Sequence, residues 1–195
     1  MVELKNARFL GRDLMRDLIL EGDMAIDATA GNGHDALFLC RQVGETGLVH
    51  VFDVQEEALK RTRERLEAEG MLKRAKLHLR SHAEMADVVE GRARAVLFNL
   101  GWLPGGDHEK TTRAESSAKA VEAALELLLP GGMAFICVYP GHEEGRHEME
   151  MLTGLAKGLD PRRFNALFSA FLNQREDSPK LIAIQRNMNG GKEEA

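Results

Sequence analysis

The sequence predicts an α/β domain built on a seven-stranded, mostly parallel sheet with helices on both faces and one antiparallel closing strand. Three observations predict it. Short apolar runs ending in a polar residue alternate with amphipathic helical stretches, a glycine-rich loop follows the first of those runs, and two consecutive strands come last. A chain of 195 residues that is 44% hydrophobic holds enough apolar material for one substantial core.

From Ala7 to Leu20, Phe9, Leu10, Leu14 and Leu18 recur at helical spacing with Arg8, Arg12 and Arg16 on another face, a helix over about residues 5–20. Met24–Asp27 is a short apolar strand ending in an acid, and the glycine-rich loop leads into a helix through Leu37, Phe38 and Leu39. Leu48–Asp53 repeats the strand pattern, and Glu56–Glu69 is a charged amphipathic helix stopped at Gly70. Ala75–Leu79 alternates as the third strand, Ser81-His82 opens a short helical stretch, and Ala93–Asn99 is the fourth strand. After the loop Gly101–Lys110, the helix Ser116–Leu129 is stopped by a turn at Pro130-Gly131-Gly132, and Met133–Tyr139 is a buried fifth strand. Glu143–Leu159 is helical despite Gly145, Gly154 and Gly158; Phe164–Leu172 and Lys180–Arg186 close the sheet around a turn with Pro179. With no repeat or linker, residues 1–187 are one domain, and the Gly- and Glu-rich tail 188–195 is expected to be disordered.

The chain carries 26 basic and 31 acidic residues, a net charge of -5. That argues against a surface coated in positive charge for nonspecific nucleic-acid binding, but leaves room for a local basic patch. Cys40 and Cys137 each lie in an apolar run, without disulfide or zinc spacing, which fits a reducing cytoplasm. The seven histidines are scattered and no metal site is expected. No signal-peptide core is seen, nor an apolar run near the roughly 20 residues of a membrane span.

In open α/β sheets ligands bind beyond the carboxyl ends of the strands, so the loop Asp27-Ala-Thr-Ala-Gly-Asn-Gly-His-Asp35 is the first candidate site. Gly31 and Gly33 permit a tight turn and close approach of a ligand to the backbone. The helix that follows offers free N–H groups and a positive dipole end. Asp53, closing the second strand, can accept hydrogen bonds from both ribose hydroxyls. These features also suit NAD, because Gly31-x-Gly33-x-x-Ala36 satisfies the loose dinucleotide pattern. S-adenosylmethionine is favoured by Asp27, which can hold a cationic amino group. The polar Asn32, His34 and Asp35 point the same way, as does Pro130-Gly131-Gly132, a turn habitual in methyltransferase domains. A glycine turn capped by an acid for structural reasons is the plainer alternative.

The segment after the fourth strand, Phe98-Asn-Leu-Gly-Trp-Leu-Pro-Gly-Gly-Asp107, is the most unusual in the chain. With Asp27–Asp35, Phe52-Asp-Val-Gln-Glu56, Ser81-His82, Tyr139-Pro-Gly-His142 and Asn173-Gln174, it resembles the small bacterial family known as putative rRNA methylases. That resemblance runs from about residue 20 to residue 186. It departs where Trp102 replaces a common tyrosine and Pro140 a frequent histidine. It implies a class I (Rossmann-like) methyltransferase fold with S-adenosyl-L-methionine as cofactor. Characterised members methylate the aminomethyl group of 5-aminomethyl-2-thiouridine at the tRNA wobble position, so the resemblance implies the same N-methylation here.

It also implies the site. The cofactor would lie on Asp27, Ala28, Gly31, Asn32, Gly33 and Asp35, then on Asp53, Val54, Gln55, Ser81 and His82, and on Asn99, Leu100 and Gly101. The substrate would meet Trp102, Gly105, Gly106, Lys110 and Arg113. A homodimer is one way to widen the RNA-facing surface. An rRNA or small-metabolite methyltransferase is the alternative, and a noncatalytic nucleotide-binding protein a more distant one.

Methyl transfer from a sulfonium is an in-line displacement whose leaving group needs no acid, so positioning to roughly 3–3.5 Å dominates. A primary alkyl amine with a pKa of about 10.4 must first lose a proton, which costs roughly 4–5 kcal/mol at pH 7. Asp107, Tyr139 and His142 are candidate acceptors and Asn99 an orienting acceptor; a helix cap at Asp107 and a solvated turn histidine at His142 are the structural alternatives. Cys40 and Cys137 lie outside the substrate loops, which sets aside a cysteine nucleophile. Candidate RNA contacts are Arg8, Arg12 and Arg16, then Lys110, Arg113, Arg146 and Arg175.

Overall fold

The apolar runs become the inner strands of one sheet in a computed structural model that describes residues 6–101 and 112–188. The elements are α1 (Ala7–Leu18), β1 (Met24–Asp27), α2 (His34–Gln42), β2 (Leu48–Asp53), α3 (Glu56–Ala68) and β3 (Ala75–Leu79). After a 3-10 stretch at His82–Asp87 come β4 (Ala93–Asn99), α4 (Ala114–Leu127), β5 (Leu128–Val138), α5 (Glu143–Gly158), β6 (Phe164–Ser169) and β7 (Lys180–Arg186). Strand order is β3-β2-β1-β4-β5-β7-β6. The first five strands are parallel, and β7 runs antiparallel to both β5 and β6.

Parallel strands bury both faces, which is why they read as continuous apolar runs. One face packs on α1, α2 and α3 through Met15, Leu39, Leu66 and Phe135. The other packs on α4, α5 and the 3-10 stretch through Phe52, Met85, Phe98, Val121 and Leu152. Helix α1 starts at Asn6, whose side-chain oxygen accepts from Phe9 N at 3.2 Å. Its Gly11 lets it lie close over Leu181 and Phe135 of the sheet.

Boundaries differ from expectation where side chains intervene. Helix α1 ends two residues early, at Leu18, because Ile19 turns extended and Asp23 accepts from Leu20 N at 2.8 Å. Strand β6 stops at Ser169, and Leu172 is fully exposed. The larger correction concerns Pro130-Gly131-Gly132, expected as a turn between helix and strand. The fifth strand already begins at Leu128, which is buried and pairs with Ala93, while Met133 pairs with Ala95. Residues Leu129–Gly132 stand opposite Arg94 as a bulge, with Gly131 at a φ of 78° that a residue with a Cβ rarely adopts. The tail from residue 189 onward lies outside the described residues. Among the described residues, no helix is long and apolar enough to cross a membrane.

Candidate active site

Strand order reverses between β1 and β4, and a cavity of about 870 Å³ opens there at the carboxyl ends of the strands. The loop after β1 is a continuation of the sheet: Ala28 N donates to Leu97 O at 2.8 Å and Ala30 N to Phe52 O at 2.9 Å. The chain then turns sharply, with Gly33 N donating back to Ala30 O at 2.8 Å and φ of 53° at Gly31 and 75° at Gly33. A Cβ on Gly33 would stand 2.8 Å from the Thr62 Cα, so this glycine sets how closely α2 and α3 pack. Asn32 is held from α3, its side-chain oxygen accepting from Arg61 at 3.2 Å and its carbonyl from Arg65 at 2.7 Å.

Asp53 faces the turn. One carboxylate oxygen accepts from Gly31 N at 3.0 Å and the other from Gln55 N at 2.9 Å, and burial raises its pKa against those bonds. Beside it Val54 is two-thirds exposed at the cavity wall, an apolar surface for a flat ring. His82 is buried, with Nδ1 3.1 Å from the Ala28 carbonyl. A carbonyl only accepts, so Nδ1 carries the proton and Nε2 is left as an acceptor. Burial lowers its pKa, which keeps the ring neutral.

On the other side of the loop, Asp35 is the centre of an ionic network. Arg12 donates to its Oδ1 from Nε at 2.7 Å and also from a terminal nitrogen, Arg8 reaches Oδ2 at 3.1 Å, and the Asn99 amide nitrogen donates to Oδ2. The Tyr139 hydroxyl lies 3.5 Å from Asn99 Oδ1. Asn99 is further fixed through its backbone N–H, which donates to Thr29 Oγ1 at 2.8 Å.

Asp27 lies beneath the loop, fully buried and outside the cavity wall. Its Oδ1 accepts from Thr29 N, and Oδ2 is buried without a hydrogen-bond partner among the described residues. Burial, reinforced by the nearby Asp35 charge, pushes its pKa up to about 8. Tyr139 is shifted upward, first by burial, so its hydroxyl holds its proton. His142 caps α5, its Nδ1 accepting from Gly145 N at 3.1 Å, and burial lowers its pKa. Burial pushes Cys40 up to about 12 and Cys137 up to about 11, which leaves both as thiols and poor nucleophiles.

Of the positions read from the sequence, Ala28, Gly31, Asn32, Asp35, Asp53, Val54, Gln55, Ser81, His82, Asn99, Leu100, Gly101, Arg113, Tyr139 and His142 line the cavity. Asp27 and Gly33 support the loop from behind. Trp102, Gly105, Gly106, Asp107 and Lys110 lie outside the described residues. Arg8 and Arg12 were candidate RNA contacts; both pair with Asp35, Arg12 off the cavity wall and Arg8 on it. Arg16 pairs with Asp13 and lies over the Phe38 ring. Thr29, Thr112 and Ser116 also line the cavity and were not anticipated; nothing in their local pattern distinguishes them from loop hydroxyls.

Comparison with known proteins places this geometry. The profile of the family described as Putative rRNA methylase matches residues 49–185. A tRNA (mnm(5)s(2)U34)-methyltransferase, chloroplastic, of Arabidopsis thaliana is 36% identical over 165 residues, 80% of this chain. The chain spans 60% of the length of that relative. A putative rRNA methylase of Clostridium thermocellum superposes with a TM-score of 0.93 at 36% identity, covering 95% of this chain and 100% of that one. SMU.1697c of Streptococcus mutans, a putative methyltransferase crystallised with SAH, gives 0.86 at 34% identity, covering 95% of this chain and 99% of that one. The sheet with its reversed β7 is the class I methyltransferase fold, and with both chemistry-bearing strand ends in place the chain belongs to the Putative rRNA methylase family.

Proposed function

We propose that this protein transfers the methyl group of S-adenosylmethionine to the aminomethyl nitrogen of 5-aminomethyl-(2-thio)uridine at the wobble position of tRNA. The protein is an S-adenosylmethionine-dependent methyltransferase of its family. The substrate reading draws on the activity named for the Arabidopsis relative. The observation that carries it is Asn99: at the end of β4 it lines the cavity, its amide nitrogen committed to Asp35 and its oxygen 3.5 Å from the Tyr139 hydroxyl. An acceptor there suits an amine nucleophile, whose N–H it can hold while the lone pair faces the methyl group.

The residues fit the cofactor. Asp53 is placed for the ribose hydroxyls, Val54 and the neutral His82 for the base, and Leu100 and Gly101 with the loop for the methionine end. The cofactor leaves as a neutral thioether, so the chain has no leaving group to protonate. Tyr139 keeps its proton and acts as a donor toward Asn99. His142 is engaged as a helix cap through Nδ1, which weakens its case as the base. Asp107 stays in the proposal as proton acceptor, with Trp102, Gly105, Gly106, Lys110 and Arg113 toward the nucleoside and its phosphates.

The test is incubation with labelled cofactor and tRNA carrying the aminomethyl precursor, followed by nucleoside mass spectrometry. The methylaminomethyl nucleoside is expected, with activity falling as salt rises because phosphate contacts release counterions. Product on rRNA alone, or turnover of a free amine without RNA or salt dependence, overturns the tRNA reading.

A further inference from the structure

Arg12 lies off the cavity wall, yet one edge of its guanidinium is committed to the loop. Nε and a terminal nitrogen donate to Asp35 Oδ1, the same terminal nitrogen donates to the His34 carbonyl at 3.0 Å, and the Phe38 ring stacks 5.2 Å from its centre. Arg8, one turn earlier on α1, meets Asp35 Oδ2 at 3.1 Å. Asp35 is nearly buried, and it spends its remaining capacity on the Asn99 amide.

The consequence lies in the amide. A side-chain amide has two faces, one that donates and one that accepts, and nothing covalent decides which points where. A carboxylate accepts only. Facing Asp35, Asn99 must present its nitrogen, because the flipped amide would set two oxygens against each other. Its Oδ1 is thereby turned to the Tyr139 hydroxyl, and both residues line the cavity. The backbone N–H of Asn99 is separately tied to Thr29, and the Tyr139 hydroxyl 3.5 Å from Oδ1 can donate or accept, so the accept-only carboxylate is the neighbour that selects the amide orientation.

We infer that Asp35, held by Arg8 and Arg12 of α1, is a positioning residue that fixes the acceptor face of Asn99 toward the substrate amine. The inference rests on the reading of Asn99 given above. It makes α1 a part of the catalytic apparatus, although only Arg8 of that helix reaches the cavity.

Arg12→Ala is the cleanest variant, because it removes two donors to Asp35 without touching the cavity wall. At saturating cofactor its kcat is expected to fall about tenfold to a hundredfold, as for a misplaced acceptor. KM for the cofactor and affinity for S-adenosylhomocysteine should change little. Asp35→Ala, which also removes a side chain from the cavity wall, should lower kcat at saturating cofactor at least as far, and Asp35→Asn, which keeps one oxygen for the Asn99 amide, should recover part of that loss. In an Asn99→Ala background, removing Asp35 should cost nothing further in kcat. Additive losses, or a loss confined to cofactor affinity, overturn the inference.

A second measurement needs no turnover. In the 15N-labelled protein the Asn99 side-chain amide, assigned by its loss in Asn99→Ala, should show one proton protected from solvent exchange. That protection should vanish in Arg12→Ala while the melting curve stays cooperative. Protection unchanged in a folded Arg12→Ala protein overturns the inference. Should the wild type methylate no aminomethyl tRNA, the substrate reading fails and the amide signature alone decides the positioning role.

Discussion

The Asn99 amide at the end of β4 donates to the Asp35 carboxylate in the first turn of α2, across 64 residues of sequence. This bond joins the glycine loop after β1 to the end of β4, both at the cavity wall. It also stands at the reversal of strand order, where the two halves of the sheet part. The site is thus organised around a shared carboxylate rather than around two independent loops.

Asp53→Ala should weaken cofactor binding. The variant removes the acceptor for Gly31 N, which is also the carboxylate proposed to hold the ribose. Hydrogen bonds to charged groups contribute roughly 1.5–3 kcal/mol, so affinity should drop about tenfold or more. Titration calorimetry with S-adenosylhomocysteine measures it, and unchanged affinity would place the ribose elsewhere.

Gly33→Ala should destabilise the fold as well as the site. A φ of 75° costs a residue with a Cβ about 1–3 kcal/mol, before the 2.8 Å approach to the Thr62 Cα forces α2 and α3 apart. Urea unfolding should show a lowered midpoint. A variant as stable as wild type would mean the two helices separate at little cost.

Asp27 gives stability a dependence on pH from the alkaline side. Its folded pKa of about 8 lies above the unfolded value of 3.8, so the folded chain holds a proton that the unfolded chain releases. Its contribution is most favourable below 3.8 and is lost progressively as pH rises through that window to about 8. Asp27→Asn removes the loss, so the melting temperature of the variant relative to wild type should rise between pH 5 and pH 8. A constant difference across that range would show that Asp27 is ionised in the folded protein.

His50 and His78 work in the opposite direction. The rings stack with centroids 5.2 Å apart and nitrogens at 3.0 Å, and His78 also stacks on Phe52. Burial, with the charges of His78 and Lys76, pushes His50 down to about 4, and burial with Lys76 and Arg80 lowers His78. Stability from the neutral pair is fully present above about 6.5 and is lost as pH falls toward 4. Thermal melts from pH 7 to pH 4.5 should therefore fall more steeply for wild type than for His50→Gln; parallel curves would clear the pair of any part in acid sensitivity.

Most elements were legible because they obey local rules. β1, β2, β3, β4 and β7 have the bounds their apolar runs announce, and Asp53 and Asn99 are recognisable as the polar residues that end buried strands. The bulge at Leu129–Gly132 was not legible. Leu128 reads as the end of a helix until its pairing with Ala93 is known. Nor was the burial of Asp27, since an acid ending a strand looks the same whether the next loop exposes or covers it.

What the sequence by itself determined is therefore the α/β order, the glycine turn, and which residue types stand at each strand end. These follow from periodicity and from the few conformations that glycine alone permits. Only the tertiary structure decided what those residues meet. Arg8 and Arg12 share one helix face in the sequence, as a solvated charge row would. They become an internal clamp because α1 packs across the sheet and brings them against a buried carboxylate. An unpaired charge cannot be buried cheaply, so once Asp35 was enclosed the packing had to bring cations to it. That requirement appears only when distant segments meet.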